Sequence, residues 1–122
     1  MHLKIKRIYD PPADNDGARV LVDRLWPRGI SRARARLDDW LKELAPSPEL
    51  RQWWDHDPAR MVEFTERYRR ELHDPPHQQA LEQLRRILAE HPTTTLVYAA
   101  RDPVINHAHV LQNYLTPVRH HH

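Results

Sequence analysis

The sequence predicts a single α/β domain, three-layered, with a small, largely parallel sheet of about four strands flanked by helices. Three observations predict it. Short β-branched or continuous apolar runs alternate with segments whose apolar residues recur at helical spacing, the order that builds parallel sheets from βαβ units. A chain of 122 residues with 39% hydrophobic content is sized for one core, and two halves would each bury too little apolar surface. The charged residues, 30% of the total, interleave with the apolar ones and form no long tail, which argues against disorder.

The first element is Leu3-Lys4-Ile5-Lys6-Arg7-Ile8-Tyr9, where Leu3, Ile5 and Arg7 alternate with the lysines as in a half-buried strand, stopped by Asp10-Pro11-Pro12. Turn chemistry in Ala13-Asp14-Asn15-Asp16-Gly17 leads into Arg19-Val20-Leu21-Val22-Asp23, a continuous apolar run typical of a central strand covered on both faces. Pro27 and Gly29 block any continuation, so Arg24-Leu25-Trp26-Pro27-Arg28-Gly29 is a loop at that strand's carboxyl end. In residues 33–45, Leu37, Trp40, Leu41 and Leu44 fit the helical i, i+3, i+4, i+7 pattern, with a β reading of the same residues left open.

Ser47-Pro48 offers an N-cap followed by proline and opens a short helix through Leu50, Trp53 and Trp54. Asp57-Pro58 repeats the device and opens a longer helix with Met61, Phe64, Tyr68 and Leu72 on one face, ended by Pro75-Pro76. Ala80, Leu81, Leu84, Ile87 and Leu88 stripe a third helix, closed by His91-Pro92. Residues 93–99 form a β-branched strand, and Asp102-Pro103 starts the last helix, with His107, Val110, Leu111 and Tyr114 on one side. The domain is expected over residues 3–119, with His120-His121-His122 read as a purification-tag remnant and kept out of metal reasoning.

Several function classes fall away. Without cysteine there is no disulfide, no thiolate metal site and no cysteine nucleophile. No apolar run reaches the roughly 18 residues of a membrane span, and Met1-His2-Leu3-Lys4 lacks a signal peptide's apolar core. A cytoplasmic protein of bacterial style with no membrane partner is expected. No metal is expected either, because His107 and His109 would lie about 200° apart on a helix and Pro75-Pro76 interrupts His73 and His77. Gly17 and Gly29 are the only glycines, too few for a phosphate-cradling loop, and no Gly-x-Ser-x-Gly elbow occurs, so no cofactor is expected.

Parallel sheets bind ligands beyond the carboxyl ends of their strands. Two loops hold that position. In the first, Arg24 and Arg28 flank Trp26; guanidinium forks pair with phosphate or carboxylate, and an indole can stack. An anionic ligand suits it. The plainer reading pairs these arginines with a carboxylate such as Asp23 or Asp57 and buries Trp26 in the core. In the second loop, Tyr98, Asp102, Asn106 and His107 gather a phenol, a carboxylate, an amide and an imidazole. His107 can act as general acid or base with Asp102 or Asn106 fixing its tautomer, whereas the plainer reading makes Asp102 an N-cap and His107 an inward-facing helix residue. His56, just before a helix start, is a candidate substrate contact.

Two functions of different class follow. One is a hydrolase or transferase acting on an anionic, phosphorylated or nucleotide-like small molecule. In it Arg24 and Arg28 hold the anion, His107, Asp102 and Tyr98 are catalytic, and Asp23, Trp26, His56 and Asn106 contact the substrate. The other is a non-catalytic nucleic-acid-binding or regulatory module using Arg19, Arg24, Arg28, Arg32, Arg34 and Arg36, a stretch whose only acid is Asp23. The net charge of +2 is too small to decide, but the later helices are acid-balanced, which favours a pocket over a basic stripe.

Arg7-Ile8-Tyr9-Asp10, Val22-Asp23-Arg24-Leu25-Trp26-Pro27-Arg28-Gly29, Trp40-Leu41-Lys42-Glu43-Leu44-Ala45-Pro46-Ser47, His56-Asp57-Pro58 and Tyr98-Ala99-Ala100-Arg101-Asp102 with Asn106-His107-Ala108 occur in order. Together they resemble the YeaO-like branch of the domain-of-unknown-function 488 family over residues 3–115. The resemblance implies a map of motifs more than an activity. It implies that residues 37–44 form a strand leading into Ala45-Pro46-Ser47, so that strand ends at Asp23, Ala45 and Tyr98 open on one side and Ser47 joins the site. Longer relatives carry a Cys-His-Arg step where this chain has Asn106-His107-Ala108, so their cysteine-dependent chemistry is not implied here.

Overall fold

Continuous apolar residues at positions 20–22 and 96–97 demand burial on both faces, and a parallel sheet supplies it. In the computed structural model, which describes residues 2–116, four parallel strands form one sheet in the order β1-β4-β2-β3. They are β1 (His2–Arg7), β2 (Ala18–Leu21), β3 (Asp39–Trp40) and β4 (Thr93–Tyr98). The helices are the one-turn α1 (Arg32–Ala35), then α2 (Pro48–Trp54), α3 (Met61–Glu71), α4 (Pro75–Glu90) and α5 (His107–Leu115). The fold is therefore α/β. Among the described residues no helix is long and apolar enough to cross a membrane.

Side-chain alternation splits the core in two. Val20, Val22, Leu96 and Tyr98 pack against α2, α3, α4 and α5, whereas Leu21 and Val97 meet Ile8, Ile30 and Ala35, with Trp26, Leu37 and Trp40 beside them. One face thus carries the thick helical layer. The other is covered by the loop after β2 and by α1.

Residues 37–44 make neither the long helix that their period suggests nor the strand that the resemblance implies. Only Asp39–Trp40 pairs with β2, and a 3₁₀ turn, Lys42–Leu44, follows. The acids end the strand: Asp38 Oδ2 accepts from Arg19 N at 2.8 Å and Asp39 Oδ1 from Trp40 N at 2.8 Å, replacing ladder bonds with side-chain ones. The helical period has a different origin. Leu37 and Trp40 serve the core under α1 while Leu41 and Leu44 serve the core under the other helices, because the chain rounds the sheet edge between them.

Two more boundaries move. Pro75-Pro76 opens α4 instead of ending the helix before it, as proline's missing N–H is harmless in a first turn, and α3 stops earlier at Glu71. The last helix starts at His107 and not at Asp102-Pro103: Asp102 Oδ1 accepts from Val104 N and Ile105 N in a separate turn, and Asn106 caps α5 by accepting from His109 N at 2.7 Å. The cap at Ser47 forms as expected, accepting from Leu50 N, whereas Asp57, accepting from Ala59 N, caps a 3₁₀ turn, Pro58–Arg60, and α3 begins only after it. Residues 117–119 and the histidines at 120–122 lie outside the described residues.

At the amino ends of the strands Asp16, 1% exposed, receives Lys6 Nζ at 3.1 Å and Arg19 Nη1 at 2.7 Å. Burial alone pushes its carboxyl up, but the Ala13 N–H, Lys6 and Arg19 outweigh it and hold the pKa below the usual value. At the carboxyl ends the chain leaves β2 towards α1 on one face and β4 towards α5 on the other. That divergence opens a crevice between the ends of β2 and β4.

Candidate ligand-binding site

The crevice is a pocket of about 290 Å³. Asp23, Arg24, Trp26 and Arg28 line it from the loop after β2, and Ala99, Ala100 and His107 from the segment after β4. Pro46, Arg51, Trp54 and His56 close it from the α2 side. A wider, more open groove of about 770 Å³ runs between α2 and α3, but it lies away from the strand ends; in it Arg67 pairs with Glu63, and Glu71 binds Ser47. The chemistry converges on the smaller pocket.

Asp23 ties that pocket together. Its Oδ2 accepts from Ala99 N at 3.0 Å, joining the segments that leave β2 and β4. His107 Nε2 donates to Val22 O at 3.0 Å and lies 3.2 Å from Asp23 Oδ1. The N–H points at the carbonyl, so the carboxylate oxygen sits beside the ring without a bond of its own. Facing a carbonyl and a carboxylate, Nε2 must carry the hydrogen, and the tautomer is fixed. The residues that fix it are Val22 and Asp23, and not Asp102 or Asn106.

The other candidates separate. Asp102 is exposed, and the Ile105 and Val104 N–H groups hold its carboxyl below the usual range. Asn106, 0% exposed, caps α5 and donates from its amide to Asp102 O at 2.8 Å. Tyr98 is buried in the core behind the pocket, where burial pushes its phenol up. Ser47 lines the outer groove, its N and Oγ both held by Glu71 at 2.8 and 2.6 Å. Trp26 reaches the pocket, yet its Nε1 donates to Ile30 O at 2.7 Å and the Arg32 guanidinium covers its ring at 4.4 Å.

The arginines also disperse. Arg19 is buried against Asp16, Arg32 packs on Trp26, and Arg34 and Arg36 are exposed. Arg24 remains at the pocket, donating from Nη2 to Ala45 O at 3.4 Å with Glu43 3.8 Å away. Among the described residues neither Arg28 nor Arg51 forms an ion pair, and no group of three or more His, Asp or Glu is arranged to hold a metal ion.

Arg51 and Trp54 are site residues that motif reading passes over. The Ser47 cap sets the phase of α2, and i, i+3 spacing then puts both on the pocket side. Trp54 is 2% exposed, stacked on Phe64 at 3.8 Å and tilted against His56 at 4.5 Å, and its Nε1 has no partner. Arg24 Nε and Asp23 Oδ1 are likewise buried and unpaired. Tyr68 backs this wall, donating its hydroxyl to Leu44 O and meeting the His107 ring edge-on at 6.2 Å. Asp55 and His56 both have left-handed backbone, φ 49° and 53°, a conformation costing L residues about 1 kcal/mol each. His56 has a lowered pKa, first from partial burial and then from the charges of Arg51 and His107.

The family model described as "Inactive DUF488-N3 subclade" matches residues 2–121. The chain belongs to this family. It is similar to the uncharacterised protein YeaO of Escherichia coli (strain K12), 43% identical over 115 residues, which is 94% of this chain and 97% of that relative. Uncharacterised proteins of Mycobacterium bovis and Mycobacterium tuberculosis are each 43% identical over 113 residues, 93% of this chain and 92% of theirs. No solved structure matches the chain. The family match spans every strand and helix described above, the pocket included.

Proposed function

We propose that this domain binds a small anionic ligand, carrying phosphate or carboxylate, at the carboxyl ends of β2 and β4, and holds it without turnover. One observation carries the reading: Arg24 and Arg28 from the loop after β2 and Arg51 from α2 converge on a pocket whose only lining carboxylate among the described residues is Asp23. Guanidinium groups held there offer forked donors to an anion. Buried, unpaired Trp54 Nε1 and Arg24 Nε add to the donor side.

Retention without chemistry is supported by Asn106. It stands where longer relatives carry a cysteine, and an amide engaged in capping a helix cannot act as a nucleophile. The word "inactive" in the family's description agrees. A second reading, a hydrolase or transferase, is favoured by His107 beside Asp23, an imidazole of fixed tautomer next to a carboxylate.

Titration calorimetry with inorganic phosphate and with acetate tests the first reading. Binding is expected to weaken by about tenfold or more in Arg28→Ala and in Arg51→Ala, with no product from phosphate esters. Turnover that disappears in His107→Ala would establish the enzyme instead. Tight, steeply salt-dependent binding of mixed-sequence DNA and RNA, with no binding of small anions, would restore the nucleic-acid module.

A further inference from the structure

The arginine-lined pocket is one of two abutting lobes. The second, about 380 Å³, is lined by His56, Ala99, Ala100, Arg101, Asp102 and Ile105, and it shares His56, Ala99 and Ala100 with the first. Their chemistry differs. The first presents guanidinium groups, while the second presents two alanines, the partly buried Ile105 and the His56 ring, with Arg101 and Asp102 exposed at its rim.

From this juxtaposition we infer that the ligand is a phosphorylated heterocycle, a nucleoside monophosphate in class, with its phosphate among Arg24, Arg28 and Arg51 and its ring against His56 in the second lobe. The inference rests on the anion reading above and adds the identity of the other half of the ligand. Small Ala99 and Ala100 leave room for a flat group where they border both lobes. His56 is set beside that space by two successive left-handed residues, and its ring is braced by Trp54 at 4.5 Å. Trp54 is itself locked on Phe64 at 3.8 Å, so the platform is preorganised. At the rim, Asp102 Oδ1 is fixed by the N–H groups of Val104 and Ile105 at 2.8 and 2.9 Å. A carboxylate and a guanidinium there match the donors and acceptors on a heterocycle's edge, which a hydrocarbon ring lacks.

A sugar phosphate would fill the first lobe alone. Calorimetry with inorganic phosphate, ribose 5-phosphate and the four ribonucleoside 5′-monophosphates separates the two halves. At least one nucleoside monophosphate is expected to bind about tenfold or more tightly than ribose 5-phosphate, the lower end of what stacking one base on an aromatic ring contributes. His56→Asn keeps a residue that tolerates left-handed backbone and removes the ring. It should bring the ratio of nucleoside monophosphate to ribose 5-phosphate affinity to about one, with a far-ultraviolet circular dichroism spectrum like that of wild type showing that the variant is folded. Equal affinity of nucleoside monophosphates and ribose 5-phosphate would overturn the second lobe and leave the anion reading standing. A tenfold advantage that survives His56→Asn would overturn the platform. Failure of every probe, inorganic phosphate included, would remove the anion reading itself.

Discussion

Replacing Asp23 separates the structural and electrostatic jobs of one carboxylate. In Asp23→Ala the partly buried Ala99 N–H loses a charge-assisted bond of 3.0 Å, and the two segments leaving β2 and β4 lose their tie. Removing such an acceptor and stranding its donor costs about 2–3 kcal/mol. Asp23→Asn keeps an acceptor for Ala99 but turns an amide NH₂ towards His107 Nε2, which already needs its hydrogen for Val22 O. Two facing donors should cost about 1 kcal/mol. Urea unfolding followed by tryptophan fluorescence, with a slope of about 1.5 kcal/mol per molar, should show the midpoint falling by about 1.5 M in Ala and about 0.7 M in Asn. A midpoint for Ala within about 0.3 M of wild type would refute the tie between the two segments.

The same pair of variants tests the charge balance of the pocket. Asp23→Asn removes the only carboxylate among the described residues that lines it. A unit charge about 6 Å from a bound anion, in a pocket open to water, repels it by about 1 kcal/mol, so phosphate should bind about fivefold more tightly to Asn than to wild type. Weaker binding would mean that Asp23 holds the ligand directly, and the anion would have to sit elsewhere.

Three further expectations follow from geometry outside the ligand's reach or at its edge. Asp16→Asn leaves buried Arg19 without its charge partner and should cost about 3 kcal/mol near neutral pH. Because the Asp16 pKa is lowered from 3.8, its contribution is present above that value and lost as pH falls through the lower folded value. The stability gap between wild type and Asn, measured by denaturant titration, should therefore narrow below about pH 4; a constant gap would refute the buried pairing. Gly17→Ala combines φ 67° with a Cβ 2.0 Å from Thr93 O, whereas Gly29→Ala combines φ 78° with no atom within 4 Å. Thermal unfolding should show a loss of about 3 kcal/mol or more for the first and about 1 kcal/mol for the second, and equal losses would show that the approach to Thr93 is not that close. Ring-proton NMR should find His56 titrating below the usual imidazole value of about 6.5, with Arg51→Ala moving it back upward; no response to Arg51→Ala would place that guanidinium away from the ring.

The central strands were legible because burial on both faces leaves an unbroken apolar run, as at Val20-Leu21-Val22, and because Thr93-Thr94-Thr95 is β-branched. The Ser47-Pro48 and Asp57-Pro58 caps were legible for the same local reason, since their hydrogen bonds span only a few residues. Residues 37–44 were not. Their apolar positions answer to two cores on opposite sides of the sheet, and no single period describes a segment that changes sides. Pro75-Pro76 marked a boundary without saying which helix it belonged to, because proline is excluded from a helix interior and welcome in its first turn. Around the pocket, Asp23, Arg24, Trp26, Arg28 and His107 could be named from strand-end loops, and His56 from its place before a helix start. Asp102 and Tyr98 were grouped with His107 by nearness in sequence, whereas the partner the ring meets, Asp23, comes from the neighbouring strand. Arg51 and Trp54 share one side of α2 by spacing, but that this side faces the pocket follows from how the helix packs on the core.

Asn106 links the start of the last helix to the pocket. Its backbone is extended, φ −155° and ψ 161°, and its side chain works in both directions, accepting from His109 N and donating to Asp102 O. A thiol at that position would be a weak cap and would leave Asp102 O without this donor. The amide supplies two hydrogen bonds that fasten the turn of residues 102–105 to the helix behind it. That turn carries Asp102 and Ile105 at the second lobe, and the helix it fastens presents His107 to Val22 and Asp23 at the first. Fixing both walls in advance would lower the ordering cost of the binding proposed above. A two-lobed pocket with three arginines on its first lobe and a wall of each lobe tied through Asn106 is the arrangement that the proposed retention of a ligand calls for.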